Sequence, residues 1–405
     1  MRSIIFLLAF LVIGQGCGKE PEGPKNPRQL QLPLKSSEVI YRNNRFGIDL
    51  FTVTAETENK NLMLSPLSAS TALSMLLNGC SDDTYDQIRD MLGYEGLTPG
   101  EINATYKSLL GQLLDLDPEI DLALANAVWY RNTFDVHQSF LDTMNKAFDA
   151  RIEALDFNSP SAITTINGWA SDNTKGKIQK VIQEISAETV MFLMNALYFK
   201  GTWTYQFDKQ LTAPASFYLP DGTTIEVETM KSEIPLRLCS TPDYTAAELT
   251  YGQQNFSMVL IEPTETLDEF LSEFDPEDWE ELTLKLDDIV EPSDCELSLP
   301  KFRFDYERIL NDQLASLGMI DAFMPFVADL SGISDESLFV SFVKQNTFID
   351  VNEEGTEAAA VTTIGIDYTS AGPDPFIVDK PFVFAIRERT TGILLFIGKV
   401  IMPGY

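Results

Sequence analysis

The chain has 405 residues, 44% of them hydrophobic, enough to bury one large core or two smaller ones and too many for a disordered protein. Its 61 acidic side chains against 29 basic ones give a formal net charge of −32. That charge excludes phosphate backbones and anionic membrane surfaces as electrostatic partners, keeps the molecule soluble, and would steer a cationic protein inward.

Residues 1–16 carry one positive charge at Arg2, run apolar from Ile4 to Ile13 and close with Gly14-Gln15-Gly16. This is the layout of a secretory signal, too short to span a bilayer. Cys17 directly after a small residue resembles a bacterial lipobox, although Gly14 stands where such boxes carry Leu. Lipidation of Cys17 is the favoured expectation, with ordinary cleavage beside it as the alternative. The protein is thus expected to be exported, anchored at the cell envelope by an N-terminal lipid or otherwise secreted. Residues 17–37 are polar, with Pro21, Pro24, Pro27 and Pro33 and no periodicity, which predicts a tether. Residues 38–405 then form one domain. The remaining cysteines, Cys80, Cys239 and Cys295, are odd in number and far apart, and are expected to be buried free thiols.

Ser65-Pro66 opens a helix whose buried face is Leu67, Leu73, Leu76 and Leu77, with Gly79 as its stop. Val190 to Phe199 is an apolar run broken only by Asn195, the pattern of a central strand covered on both faces, and its amide must find partners. Pro220-Asp221-Gly222 between strand-like residues predicts a hairpin. The apolar runs Pro381–Ile386 and Ile393–Ile401, separated by Arg387 to Gly392, predict a buried one. Helix and strand signals mix without a βαβ rhythm, so the fold class is α+β.

His137 is the only histidine, and it lacks the spacing of a triad, a zinc site or a Cys–His pair. No G-x-S-x-G occurs, and Gly176-Lys177 is followed by Ile178 instead of the Ser or Thr of a P-loop. These patterns imply no metal, no cofactor and no catalytic residue; the chain is expected not to be an enzyme.

The stretch Glu353 to Pro375 follows a strand-like run, Phe348 to Val351, and precedes the C-terminal hairpin. Taken with period two, one face holds Thr356, Ala358, Ala360, Thr362, Ile364 and Ile366, while Glu357 and Asp367 fall on the other. Such segregation suits a segment that must fit into a sheet over a packed core. The residues alone leave a short Ala-rich helix over 357–363 equally open.

Val351-Asn352-Glu353-Glu354-Gly355-Thr356-Glu357-Ala358-Ala359-Ala360 resembles the reactive-loop hinge of inhibitory serpins. Residues 61–79, 167–178, 195–203, 328–333 and 379–384 are similar to further serpin signatures in the family's order. The resemblance implies three β-sheets, about nine helices and an exposed reactive loop near 353–375, hinged at Glu353 to Ala360. It implies a suicide inhibitor of serine-type proteases: loop cleavage, acyl-enzyme trapping as a covalent 1:1 complex, and insertion of the cut loop into the central sheet. By similarity Ser65, Ser68, Asn195 and Gln345 belong to a hydrogen-bonded shutter where the sheet opens, with Gln345 standing where many members carry histidine. Trp203 belongs at the breach where insertion begins. The family's loop length puts the scissile bond at Thr369–Ser370, with Tyr368–Thr369 and Ser370–Ala371 as alternatives. No Lys or Arg lies between Gly355 and Asp379, so trypsin-like targets are excluded in favour of elastase-like or subtilisin-like enzymes, with papain-like cysteine proteases as a further class. A monomer is expected, and a non-inhibitory cell-surface binding protein is the alternative.

Overall fold

A computed structural model describes residues 27–356 and 375–404. Residues 27–33, which the sequence places in the tether, run along the domain as a strap without regular secondary structure, and 34–35 turn into the first helix. Two side-chain amides hold its backbone. Asn255 accepts from the Arg28 N–H (3.0 Å) and donates to its carbonyl (2.8 Å). Gln112 does the same for Gln31, at 2.9 and 2.7 Å.

Helix α1 (Ser36–Glu56) then buries Val39, Phe46, Leu50 and Phe51. Strand β1 (Leu62–Leu64) leads to α2 (Pro66–Leu77), where the Ser65 hydroxyl caps the Ser68 N–H at 3.2 Å and all four predicted leucines are buried. The helix ends before Gly79, where a β-carbon would overlap Ile333. Next come α3 (Asp82–Met91), α4 (Pro99–Leu113), β2 (Ile120–Arg131), α5 (Gln138–Phe148), β3 (Arg151–Leu155) and α6 (Pro160–Asn173). His137 sits on the turn into α5, its Nε2 3.3 Å from Asp335 Oδ1.

The middle of the chain supplies β4 (Met191–Thr202), β5 (Ala213–Tyr218), β6 (Thr224–Ser240), β7 (Tyr244–Tyr251), β8 (Phe256–Pro263), α7 (Leu267–Glu273) and α8 (Pro276–Asp287). After these come β9 (Ser293–Pro300), β10 (Phe302–Ile309), α9 (Asn311–Ser316), β11 (Lys344–Asn352), β12 (Gly355–Thr356), β13 (Phe376–Ile377), β14 (Phe382–Glu388) and β15 (Leu394–Val400). Nine α-helices are thus present among the described residues, in line with the α+β expectation.

The strands form three sheets. One runs β10-β11-β12-β4-β2-β3. The long β6 joins the other two: its first part pairs with β5 and its middle with β9, beyond which lies β13, and its end pairs with β7 in the layer β7-β8-β14-β15-β1. The predicted central strand is β4. Leu197 and Phe199 face the main core, while Phe192 and Ala196 face a second cluster with Trp129 and Trp169 beneath α6. Both faces are therefore covered, as its nearly unbroken apolar run demanded. The Asp221-Gly222 hairpin forms between β5 and β6 with Gly222 at φ +82°.

Two expectations are corrected. Arg387, assigned to the last turn, lies inside β14 and is 1% exposed; Glu248 and Asp287 neutralise it, with Nη2 2.6 Å from Glu248 Oε1 and Nη1 3.0 Å from Asp287 Oδ2. A buried cation with two carboxylates can continue a strand that a lone one would end. Of the three described cysteines, all free, only Cys295 is buried; Cys80 and Cys239 are half-buried.

Candidate functional site

Strand β11 ends at Asn352, whose side chain accepts the Glu354 N–H at 3.0 Å and so closes a turn over Glu353 and Glu354. The chain then doubles back as β12, and its two residues are paired on both sides. Gly355 lies between Asn352 and Thr202, and Thr356 lies between Val351 and Gly201. Gly355 has φ +149°, and a β-carbon there would overlap the Gly201 carbonyl, so only glycine can make this return. Within the hinge, Gly355 and Thr356 are therefore seated in the six-stranded sheet.

Five residues hold the turn, four from the β4–β5 connection and one from the link between β9 and β10. Trp203, just past β4, donates its backbone N–H to the Glu354 carbonyl and its indole N–H to the Asn352 carbonyl, each at 3.0 Å. The Phe207 N–H bonds the Glu353 carbonyl at 3.0 Å. Glu353 itself is buried. Its Oε2 lies 3.1 Å from Lys301 Nζ, and its Oε1 accepts the Thr212 hydroxyl at 2.9 Å. Burial works to raise this carboxyl, but bonds from its own backbone, Thr212 and Lys301 hold it below the usual carboxylate range. Glu354 pairs with Lys209 at the surface.

Under the turn, the Trp203 ring stacks on Tyr251 at 4.3 Å and 10°. The Tyr251 hydroxyl and Thr356 Oγ1 are 2.6 Å apart, both buried. Trp203 was predicted here. Lys301, Thr212 and Tyr251 were not, because only the sheet topology brings them to the hinge, and no local motif marks them.

The shutter residues divide into two groups. Gln345 brackets the Ser65 backbone, accepting its N–H at 3.1 Å and donating to its carbonyl at 2.8 Å; the Ser65 hydroxyl donates to the Leu395 carbonyl at 2.8 Å and accepts from Ser68. An amide can make this bracket because it carries both a donor and an acceptor. Asn195, expected in the same cluster, pairs with its register neighbour Asn126 on β2 at 2.7 Å, and its own Oδ1 has no partner. Between the two groups, β4 and β11 share no ladder among the described residues once β12 ends. Asn195 and Gln345 instead line a cavity of about 560 Å³ with Leu73, Phe192, Leu338 and Phe342.

At its other end the loop is tied down through β13, parallel to β9, by the Val378 N–H to the Ser298 carbonyl (2.9 Å) and the Tyr218 N–H to the Asp379 carbonyl (2.7 Å). Both ends of the 353–375 stretch are thus anchored in sheets. Glu357 to Ala360, the bond candidates Tyr368, Thr369, Ser370 and Ala371, and Cys17 lie outside the described residues.

The segment thus starts as a short strand in the six-stranded sheet and its far end rejoins a second sheet at β13, an α+β architecture of three sheets and nine α-helices among the described residues. The family model for serpins, described as serine protease inhibitor, matches residues 41–403. The chain is 34% identical to the leukocyte elastase inhibitor of Bos taurus, over 89% of this chain and 98% of that one. It is 32% identical to an uncharacterized serpin-like protein of Methanosarcina mazei, over 92% and 89%. Among solved structures, a thermophilic serpin, tengpin, in its native state superposes with a TM-score of 0.82 at 30% identity, covering 93% of this chain and 97% of that one. The chain belongs to the serpin family.

Proposed function

We propose that the protein inhibits serine-type endopeptidases by sacrificing its loop. The protease's nucleophilic oxygen forms an ester with the carbonyl carbon of the attacked bond; the C–N bond breaks, and the new amine on the C-terminal fragment takes the proton. Before water resolves the ester, the freed loop enters the sheet between β4 and β11 and carries the acylated protease with it. The native fold is in this account a kinetically held state, spent once.

The observation that carries the proposal is the seating of Gly355 and Thr356 between β4 and β11, two strands that share no ladder with each other among the described residues. Continuing that register residue by residue sets Ala358 between Phe199 and Ile349, Ala360 between Leu197 and Thr347, and Thr362 between Asn195 and Gln345. Small side chains would meet the crowded core positions, and a hydroxyl would meet the unpartnered Asn195 oxygen. Glu357 would fall opposite Lys200, which makes no ion pair among the described residues. A further support is the relative named as an elastase inhibitor, consistent with a loop free of Lys and Arg. Elastase-like or subtilisin-like enzymes are the proposed targets, cut at Thr369–Ser370 or one bond to either side. Export as a monomer, with a lipid on Cys17, completes the proposal.

Incubation with a panel of elastase-like and subtilisin-like proteases tests it. A high-mass adduct that survives denaturing electrophoresis is expected, together with a released C-terminal peptide whose mass gives the bond. Peptide release without an adduct from any enzyme would overturn it. Thr356→Arg should turn the inhibitor into a substrate, because a guanidinium cannot follow threonine into that buried position.

A further inference from the structure

The hinge is seated before any cut, and one contact holds the seat from below. Thr356 is 3% exposed and Tyr251 is fully buried; each hydroxyl is the other's side-chain partner. Burial pushes the Tyr251 phenol far above its ordinary range, so it stays a neutral hydroxyl, able to donate or accept, at any working pH. The ring cannot swing away. It is stacked on Trp203, packed edge-on against Phe199 at 5.1 Å, and its backbone bridges to Trp203. The turn behind it is fixed as well, by the Gly252 N–H to the Thr202 carbonyl at 2.8 Å and the Thr204 hydroxyl to the Gly252 carbonyl at 3.0 Å. Tyr251 is therefore a rigid post with a single buried hydroxyl, and Thr356 is the group that satisfies it.

Resting on the loop-insertion reading above, we infer that Tyr251 is the positioning residue of the hinge: its hydroxyl holds Thr356 in the sheet and sets how far the intact loop reaches. With two residues seated, the loop stands shorter by about 7 Å of extended chain. Docking of a protease is slowed, while insertion after cleavage starts from a formed nucleus. If Thr356 leaves the sheet, a buried phenol loses its partner, and that loss resists release.

Tyr251→Phe, Thr356→Val and the double variant test this, read first by hydrogen exchange of the peptide covering 350–356 and then by inhibition kinetics. Each single variant leaves one buried hydroxyl orphaned in the seated state. Exchange in that peptide should rise roughly three- to tenfold, association with a target protease should quicken by a similar factor, and more inhibitor should be spent per protease trapped. The double variant replaces both partners with apolar groups of similar shape and should return all three readouts toward the parent. Restoration separates positioning from mere packing of the ring, because packing is the same in Tyr251→Phe and in the double variant. Unchanged exchange in both single variants, or a double variant that exchanges faster than either, would overturn the inference. The exchange readout stands even if no protease forms an adduct, so the two failures are distinguishable.

Discussion

Glu353→Gln isolates the electrostatic part of the hinge. The carboxylate is 6% exposed and accepts from two groups, Lys301 at 3.1 Å and Thr212 at 2.9 Å. Glutamine keeps the shape but has one acceptor oxygen, so it can hold Thr212 or Lys301, not both. One hydrogen bond to a charged group is lost, worth about 2 kcal/mol, and the Lys301 ammonium loses the Glu353 charge beside it. The carboxyl sits below its ordinary range in the folded state. Its contribution is therefore complete above the unfolded carboxylate value near pH 4.5 and is lost as the pH falls through the lower folded value. Urea unfolding of parent and variant at pH 7 should differ by about 2 kcal/mol, and the gap should narrow progressively below roughly pH 4. Equal midpoints at pH 7, or a gap that is undiminished in acid, would refute the assignment of Glu353 as an ionised anchor.

Glu262 behaves oppositely. Burial pushes its carboxyl up to about 7, against the pull of Lys380 at 3.7 Å. Its contribution to stability is full below about pH 4.5 and fades as the pH rises through 7, so Glu262→Gln should gain roughly 2 kcal/mol on the parent between pH 5 and 8, read from urea midpoints across that range. Arg387→Met strips the main partner from Glu248, whose side chain is 0% exposed, and should cost about 3–5 kcal/mol in the same assay, with part of the loss recovered when Glu248→Leu is added. Asn255→Ala releases both bonds to the Arg28 backbone and should cost about 1–2 kcal/mol and expose residues 27–35 to limited proteolysis.

Local signals were legible where one short stretch carries the physics. Ser65-Pro66 declares a capped helix start, Asp221-Gly222 a tight turn, and the run from Val190 to Phe199 a strand buried on both faces; each forms where its chemistry requires. The hinge was legible through its resemblance to the serpin pattern, since the residues alone left a short helix equally open; that Gly355 must approach the Gly201 carbonyl closely emerged only from the fold. What the residues could not declare was partnership across the chain. Lys301 and Thr212 look like ordinary surface residues until β9 and the β4–β5 connection bring them to Glu353. Arg387 reads as a turn residue until Glu248 and Asp287, far away in sequence, neutralise it. Asn195 was grouped with Ser65 and Gln345 by resemblance, yet the open sheet puts a cavity between them and leaves Asn126 as its partner. The strap at 27–33 lacks periodicity because side-chain amides, not a regular ladder, satisfy its backbone.

The central claim is that a cut loop enters the sheet beside Thr356, and the most direct measurement compares intact protein with protein nicked once within 357–374. Urea unfolding of the two forms should give a much higher midpoint for the nicked one, because a new central strand completes the ladder between β4 and β11. Equal midpoints, or a nicked form less stable than the intact one, would contradict the account.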